Sequence, residues 1–243
     1  GDLAFVALFS GEVDRAVELL ATGATHPADA ADRFIMAFHL FILATAGRDA
    51  EAREIAAETV AAVEAAGVPM SIAVAHAAHG AALQAVDPAA ALAAYETGLE
   101  AASVSGARFM ETLIAPRIAA LRARSGEPEV ALQGFARMLD AYGDAADVAS
   151  TSVWRAALVV LFARVGLFQA AATIHGTLEG SIDVSAVVPD EPQAVAQVRE
   201  ALGERVFAAA AARGARMSLR ESANYAALQV HLALASTEGR LAV

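Results

Sequence analysis

Three histidines occupy positions at which helical spacing brings their rings toward one another. His76 and His79 lie three residues apart, which places both imidazoles on one face of a helix. His39 lies forty residues before His79, at the matching point of an earlier helical run. A metal site needs three or four ligands of defined geometry, and no HExxH pattern or suitably spaced carboxylate accompanies this group. Packed or solvated histidines are the simpler interpretation, and we expect neither a metal nor a cofactor.

A run of acidic residues could in principle carry acid–base chemistry. Glu51, Glu54 and Glu58 follow Asp49 at helical spacing, with Arg53 between them. Paired carboxylates act as acid and base when burial separates their pKa values. The neighbouring residues are mostly alanine, with no aromatic side chain nearby to bury a carboxyl group. A solvated helix face is the simpler interpretation.

Arginine supplies all 17 basic side chains of the chain, and some of them are clustered. The guanidinium fork suits carboxylates and phosphates, so a cluster could hold an acidic peptide or a nucleotide phosphate. A solubilising surface is the alternative. The two clusters are Arg117, Arg122 and Arg124, and Arg213, Arg216 and Arg220.

Composition and missing motifs exclude several function classes. The chain has no cysteine, which rules out disulfides, thiolate metal sites and cysteine nucleophiles. Its formal net charge of −11 opposes binding to a phosphate backbone. Phosphate-loop, dinucleotide and nucleophile-elbow patterns are absent from the sequence. We therefore predict that the chain is not an enzyme and has no direct nucleic-acid partner.

With no membrane-spanning or signal segment in the sequence, we expect a cytoplasmic protein. The two most apolar runs, Ile35 to Ala46 and Ala156 to Ala163, are shorter than the roughly 20 residues that cross a bilayer. Neither end carries a basic-then-apolar signal segment. The chain starts at Gly1 without a methionine and enters an apolar run at once, so we expect a fragment of a longer polypeptide with no membrane contact.

Turn residues return roughly every forty residues between alanine-rich helical runs. Alanine is the strongest helix former, and its small side chain lets helices approach closely. Two interleaved series of turn residues favour a stack of helical hairpins, that is, an all-α, right-handed superhelical solenoid of antiparallel helix pairs. The turns within the hairpins are Gly11, Gly47, Asp87, Gly126, Gly166 and Gly203, and those between hairpins are Gly67, Gly106, Gly143 and Gly180.

These turns predict a single helical repeat domain over residues 1–243. We expect Asp49 to be the N-cap of a return helix, that is, the second helix of a hairpin. Pro116 is expected to kink the helix that contains it. Ser218 is expected to form a capping box with Glu221. The predicted segments are a partial hairpin at 1–26, four hairpins at 27–67, 68–106, 107–143 and 144–180, a loop at 181–191 and C-terminal capping helices at 192–243.

Within the hairpins, a small residue early in each return helix precedes a large one. This alternation lets adjacent helices interdigitate. With the hairpins and the period, it resembles the tetratricopeptide repeat (TPR), whose standard unit is a few residues shorter. Gly80 stands where that family favours glycine, whereas Leu40, Ala119 and Val159 occupy the equivalent places. The pairs are Ala52 with Ile55, Ala91 with Tyr95, Ala131 with Phe135 and Ala171 with Ile174.

The only tryptophan, Trp154, stands beside Arg155 on the first helix of a predicted hairpin. First helices line the concave groove in solenoids of the TPR type, although a core position is an alternative for a tryptophan. We predict that a groove for a partner is lined by His76, His79, Arg108, Trp154 and Arg155.

The C-terminal segment resembles the closing part of actinobacterial regulators in which a STAND-type ATPase precedes TPR-like repeats. Relatives in that family carry adenylate-cyclase-like or LuxR-type DNA-binding domains, and none of these parts lies in this sequence. The resemblance implies that the repeats sense a ligand or protein and restrain the ATPase of a transcriptional regulator. The matching residues are Leu202, Gly203, Glu204, Phe207, Gly214, Ser218, Leu219, Glu221 and Ala226.

We therefore expect a non-catalytic binding module, the sensor or regulatory region of a larger regulator. Its expected partners are a protein segment, peptide or small effector in the groove, and the upstream ATPase domain. The alternative is a scaffold that packs on the missing ATPase domain or on a second copy of the chain. Its apolar contact surface would include Leu3, Phe5, Val6 and Phe9.

Overall fold

The computed structural model of the chain describes residues 13–23, 30–125, 127–142, 148–181 and 188–241. All regular secondary structure in these ranges is helical, which confirms the predicted all-α class. None of the helices in these ranges has the length and apolarity needed to span a membrane. The helices are α1 (Val13–Gly23), α2 (Ala30–Thr45), α3 (Asp49–Ala66), α4 (Pro69–Leu83), α5 (Pro88–Ser105), α6 (Arg108–Ser125), α7 (Pro128–Tyr142), α8 (Val148–Arg164), α9 (Phe168–Gly176), α10 (Glu191–Leu202), α11 (Glu204–Gly214) and α12 (Leu219–Leu241).

The predicted hairpins correspond to the pairs α2/α3, α4/α5, α6/α7 and α8/α9. Six of the predicted turn glycines adopt a positive φ, a backbone conformation that side chains with a Cβ rarely tolerate, which explains glycine there. These are Gly47, Gly67, Gly106, Gly166, Gly180 and Gly203. The predicted turns at Gly11, Gly126 and Gly143, and most of the loop predicted at 181–191, lie outside the described residues.

The predicted cap at Asp49 is wrong by one position. Arg48 is the N-cap residue of α3, without a side-chain cap, and Asp49 is the first helical residue. The guanidinium of Arg48 lies 2.6 Å from the carboxylate of Glu51, so the first turn is held by an ion pair. Asp87 does cap its helix, since its carboxylate accepts a hydrogen bond of 3.0 Å from the backbone N–H of Ala90.

The chain divides into two compact units, the first ending at Ile114 and the second beginning at Ala115. The division falls inside α6, which is continuous through Pro116. In the first unit α1 to α4 each pack on the next helix in sequence, and α2 also packs on α4. The ring of Tyr95 on α5 lies so close to Gly80 on α4 that a Cβ there would be 2.7 Å from the ring. Glycine at this position therefore lets the two helices approach closely.

The second unit combines sequential packing with one long-range return. Helix α8 packs on α9 and α10, and α9 packs on α10 and α11, as expected for stacked pairs. Helix α12 instead packs against α7. The ring Nε2 of His231 lies 3.4 Å from Oδ1 of Asp140, 91 residues away in sequence. Helix α12 therefore departs from the sequential packing expected of stacked helix pairs.

The small-and-large pairs lie in the core, as the sequence predicts. All four alanines and the large partners on α5, α7 and α9 are fully buried. Ile55 is the exception, being only partly buried, and the interior face of α3 carries Ala56, Thr59 and Val63 instead. Small alanine side chains that face aromatic or β-branched ones therefore allow adjacent helices to pack closely. The buried residues are Ala52, Ala91, Ala131, Ala171, Tyr95, Phe135 and Ile174.

Candidate functional site

His76 and His79 lie on α4 in the first unit, in different environments. His76 is buried, with its Nε2 atom 2.9 Å from Oε1 of Glu64 on α3. Its other ring nitrogen has no hydrogen-bond partner among the described residues. His79 is half-buried, and burial, followed by repulsion from His76, lowers the pKa of the His79 imidazole. His76 therefore links two helices of the first unit.

His39, on α2, does not join the other two histidines in a metal site. Burial and the positive charge of Arg48 lower the pKa of its imidazole, against a smaller raising effect of Glu51. Within the described ranges, no three acidic or histidine side chains are placed to hold a metal ion.

In the acidic run on α3, Glu51 and the interleaved Arg53 make contacts that stabilise helix ends. Hydrogen bonding from Arg48 lowers the pKa of the exposed Glu51 carboxyl, which is the direction opposite to that of a proton donor at neutral pH. Nη1 of Arg53 donates a hydrogen bond of 2.9 Å to the carbonyl of Ala82, in the last turn of α4. These charges therefore stabilise a helix start and a helix end.

Trp154 and Arg155 lie inside the second unit. Trp154 is 6% exposed and Arg155 is 2% exposed. The guanidinium of Arg155 donates to the carbonyl of Thr177, to Oγ of Ser152 at 3.3 Å and to Oγ of Ser181 at 3.2 Å. Burial lowers the pKa of Arg155 to about 10. Both side chains are therefore core residues of α8, and neither lines an open groove.

Arg108 is the exposed member of the predicted groove set, and it lies on α6 in the first unit. The predicted set thus combines buried, half-buried and exposed side chains drawn from two separate units. Residues chosen for their type alone do not identify one binding surface in either unit.

An open groove in the second unit is formed where α12 returns to α7. Its volume is about 1010 Å³. Apolar side chains form much of its lining, and two glutamates and one arginine add charge. Leu232 is 54% exposed there, and Val130 is 38% exposed. The lining residues are Glu127, Pro128, Glu129, Val130, Leu132, Arg164, Val165, Leu167, Gln229, Leu232, Ala233 and Ser236.

Local sequence rules explain how α12 begins. Oγ of Ser218 accepts from the backbone N–H of Glu221 at 3.3 Å, and Oε2 of Glu221 accepts from the backbone N–H of Ser218 at 2.8 Å. This confirms the predicted capping box. Hydrogen bonds that the backbone N–H and the hydroxyl of Ser218 donate to the carboxylate lower the pKa of Glu221. Ala226 and Val230, farther along α12, are fully buried in the core of the second unit.

The sequence did not reveal the groove residues. Leu232 and Val130 read as ordinary members of amphipathic helices, and they share a groove only because α12 returns across a long stretch of chain. No signal in the sequence marks that return.

Comparison with protein-family models, with curated proteins and with solved structures finds no match to this chain. Its class is therefore defined only by its fold, which is all-α in the described residues, with an open, largely apolar groove in the second unit.

Proposed function

We propose that the chain is a TPR-like helical repeat module, without catalytic activity, that binds a protein segment in the groove of its second unit. Support for the repeat comes from the regular helix pairs, their glycine turns and the buried small-and-large positions. The observation that carries the binding role is the groove itself, which leaves Val130 and Leu232 exposed in a concave, mainly apolar setting.

The occupant that fits this groove is an amphipathic helical peptide with basic residues beside its apolar face. A volume of about 1010 Å³ accommodates several side chains of a peptide. Apolar residues of the peptide would contact Val130, Val165 and Leu232, as in other helix-in-groove complexes. Glu127 and Glu129 would attract basic residues that flank the apolar face of the peptide. The net charge of −11 likewise favours a positively charged partner.

We further propose that this binding regulates a larger ATPase-type transcriptional regulator. Support for that context is the resemblance of the C-terminal segment alone. The apolar residues that motivated the scaffold alternative, Leu3 to Phe9, lie outside the described residues.

Selection from a random peptide library on the purified chain, followed by fluorescence anisotropy, tests the groove. We expect selected peptides to share apolar residues at helical spacing and nearby arginine or lysine. Leu232→Asp should weaken their binding at least about tenfold, since a central apolar contact is lost and a carboxylate is desolvated. Leu228→Asp is the matched control, because Leu228 is equally exposed at 55% on the same helix but does not line the groove.

Unchanged affinity in Leu232→Asp, or equal losses in both variants, would contradict binding at the groove. Circular dichroism of each variant checks that the helices remain folded. A library that yields only acidic peptides would contradict the proposed charge preference.

A further inference from the structure

A second, smaller cleft lies between α9 and α11 and has a basic lining. Its volume is about 290 Å³. Two arginines face it and no acidic residue lines it, although acidic residues outnumber basic ones by 28 to 17 in the whole chain. The lining residues are Gln169, Arg205, Val206, Ala209, Ala210 and Arg213.

Arg213 is held in a fixed orientation. Its Nη2 atom donates a hydrogen bond of 2.6 Å to Oγ1 of Thr173. That hydroxyl in turn donates to the carbonyl of Gln169 at 2.9 Å. The guanidinium also lies 5.8 Å from the ring centroid of Tyr225, within the range of a cation–π contact. Since a guanidinium has five N–H donors, this anchoring leaves most of them for a ligand.

Arg205 supplies a second positive charge that the fold does not neutralise. It lies eight residues before Arg213 on α11, is exposed, and forms no hydrogen bond or ion pair with the described residues. The adjacent carboxylate of Glu204 lies 3.4 Å from the guanidinium of Arg199 instead. Two like charges beside one cleft attract an anion that interacts with both.

Small residues make room for such an anion. Ala209 and Ala210 form part of the floor, so that the backbone of α11 lies near the cleft. The size is close to the lower limit of about 300 Å³ for small-molecule pockets. It suits a compact anionic group and is too small for a long peptide.

We propose that this cleft binds a phosphate group, carried free or as the ester of a small molecule. Arg213 accepts it through its pre-oriented guanidinium, Arg205 neutralises its second charge, and the side-chain amide of Gln169 adds a donor. None of these residues lines the groove proposed for the peptide, so the two proposals fail independently.

Isothermal titration with inorganic phosphate and with glycerol 3-phosphate tests the proposal. We expect saturable binding of at least one of them, weakened at least tenfold in Arg205→Gln. Arg216→Gln is the matched control, because Arg216 is exposed, lies just after the end of α11 and does not line the cleft. It should change the affinity less than twofold. Tighter binding of glycerol 3-phosphate supports an esterified ligand, and equal binding supports free phosphate.

Absence of saturable binding of both compounds would overturn the proposal. So would equal losses in Arg205→Gln and Arg216→Gln, which would indicate a general effect of net charge. Tighter binding of citrate than of either phosphate compound would also overturn it, because a carboxylate ligand would then be preferred. Thermal unfolding of both variants confirms that they are folded at the titration temperature.

Discussion

Replacing Trp154 by alanine is expected to lower the free energy of unfolding by about 3–5 kcal/mol. Trp154 is 6% exposed and packs in the core cluster of the second unit together with Phe135, Leu158 and Phe162. Truncation removes its apolar contacts and leaves a cavity that close-packed neighbours only partly fill. Urea unfolding followed by far-UV circular dichroism measures the effect without relying on the lost tryptophan fluorescence.

Leu228→Ala serves as the control for Trp154→Ala. Leu228 is 55% exposed on α12, so its truncation should change stability by less than about 0.5 kcal/mol. A loss below about 1 kcal/mol in Trp154→Ala would show that the indole is solvent-accessible. That result would restore the groove role that the sequence suggested for this residue.

Adding one methyl group at Gly176 or at Gly214 is expected to destabilise the second unit by about 1–3 kcal/mol or more. The two glycines lie where α9 and α11 approach most closely. A Cβ at Gly176 would lie 2.0 Å from the carbonyl oxygen of Ala211, and one at Gly214 would lie 1.9 Å from that of Thr173. The clashing atoms belong to the backbone, so the helices themselves must separate.

Gly134→Ala is the control, because it makes the same substitution but is expected to raise the free energy of unfolding instead of lowering it. At Gly134, within α7, the nearest atom to an added Cβ is Nη1 of Arg122, 3.9 Å away. Because alanine favours a helix interior by about 1 kcal/mol over glycine, stability should rise by up to that amount. Equal effects of Gly134→Ala and Gly176→Ala in urea unfolding would contradict the close approach of α9 and α11.

The helices and their turns could be predicted from the sequence because they follow local rules. Glycines at Gly47, Gly106 and Gly166 mark positive-φ turns, and the Ser218–Glu221 capping box needs only a three-residue spacing. The buried alanines also followed from repeat alignment. The preference for aspartate at an N-cap did not predict the start of α3 correctly, because Arg48 is the N-cap residue and Asp49 follows it.

Functional residues were harder to predict because their exposure depends on tertiary packing. Trp154 and Arg155 have side chains typical of binding sites, yet the core of the second unit covers both. The sequence marks the tail cluster that contains Arg213. It does not place Gln169 beside Arg205 and Arg213, because Gln169 comes from another helix. Residue type suggests chemistry, whereas the fold decides which side chains reach solvent.

Several residues that carry the C-terminal resemblance have structural roles here. Gly203 has a φ of 74° between α10 and α11, and Phe207 is buried with the guanidinium of Arg199 4.5 Å from its ring centroid. Gly214 permits the approach of α11 to α9. These residues therefore determine how the helices at this end of the chain pack, and the binding sites that we propose lie elsewhere, in the groove and the cleft.

The return of α12 onto α7 forms the groove that we propose binds a peptide, and cross-linking tests this return most directly. Because the chain has no cysteine, Asp140→Cys combined with His231→Cys introduces a unique thiol pair. We expect a short bismaleimide to join the two thiols within one folded chain, and the reaction to disappear in urea. Failure to cross-link the folded chain, or equal cross-linking in urea, would contradict the packing of α12 on α7 and the groove that depends on it.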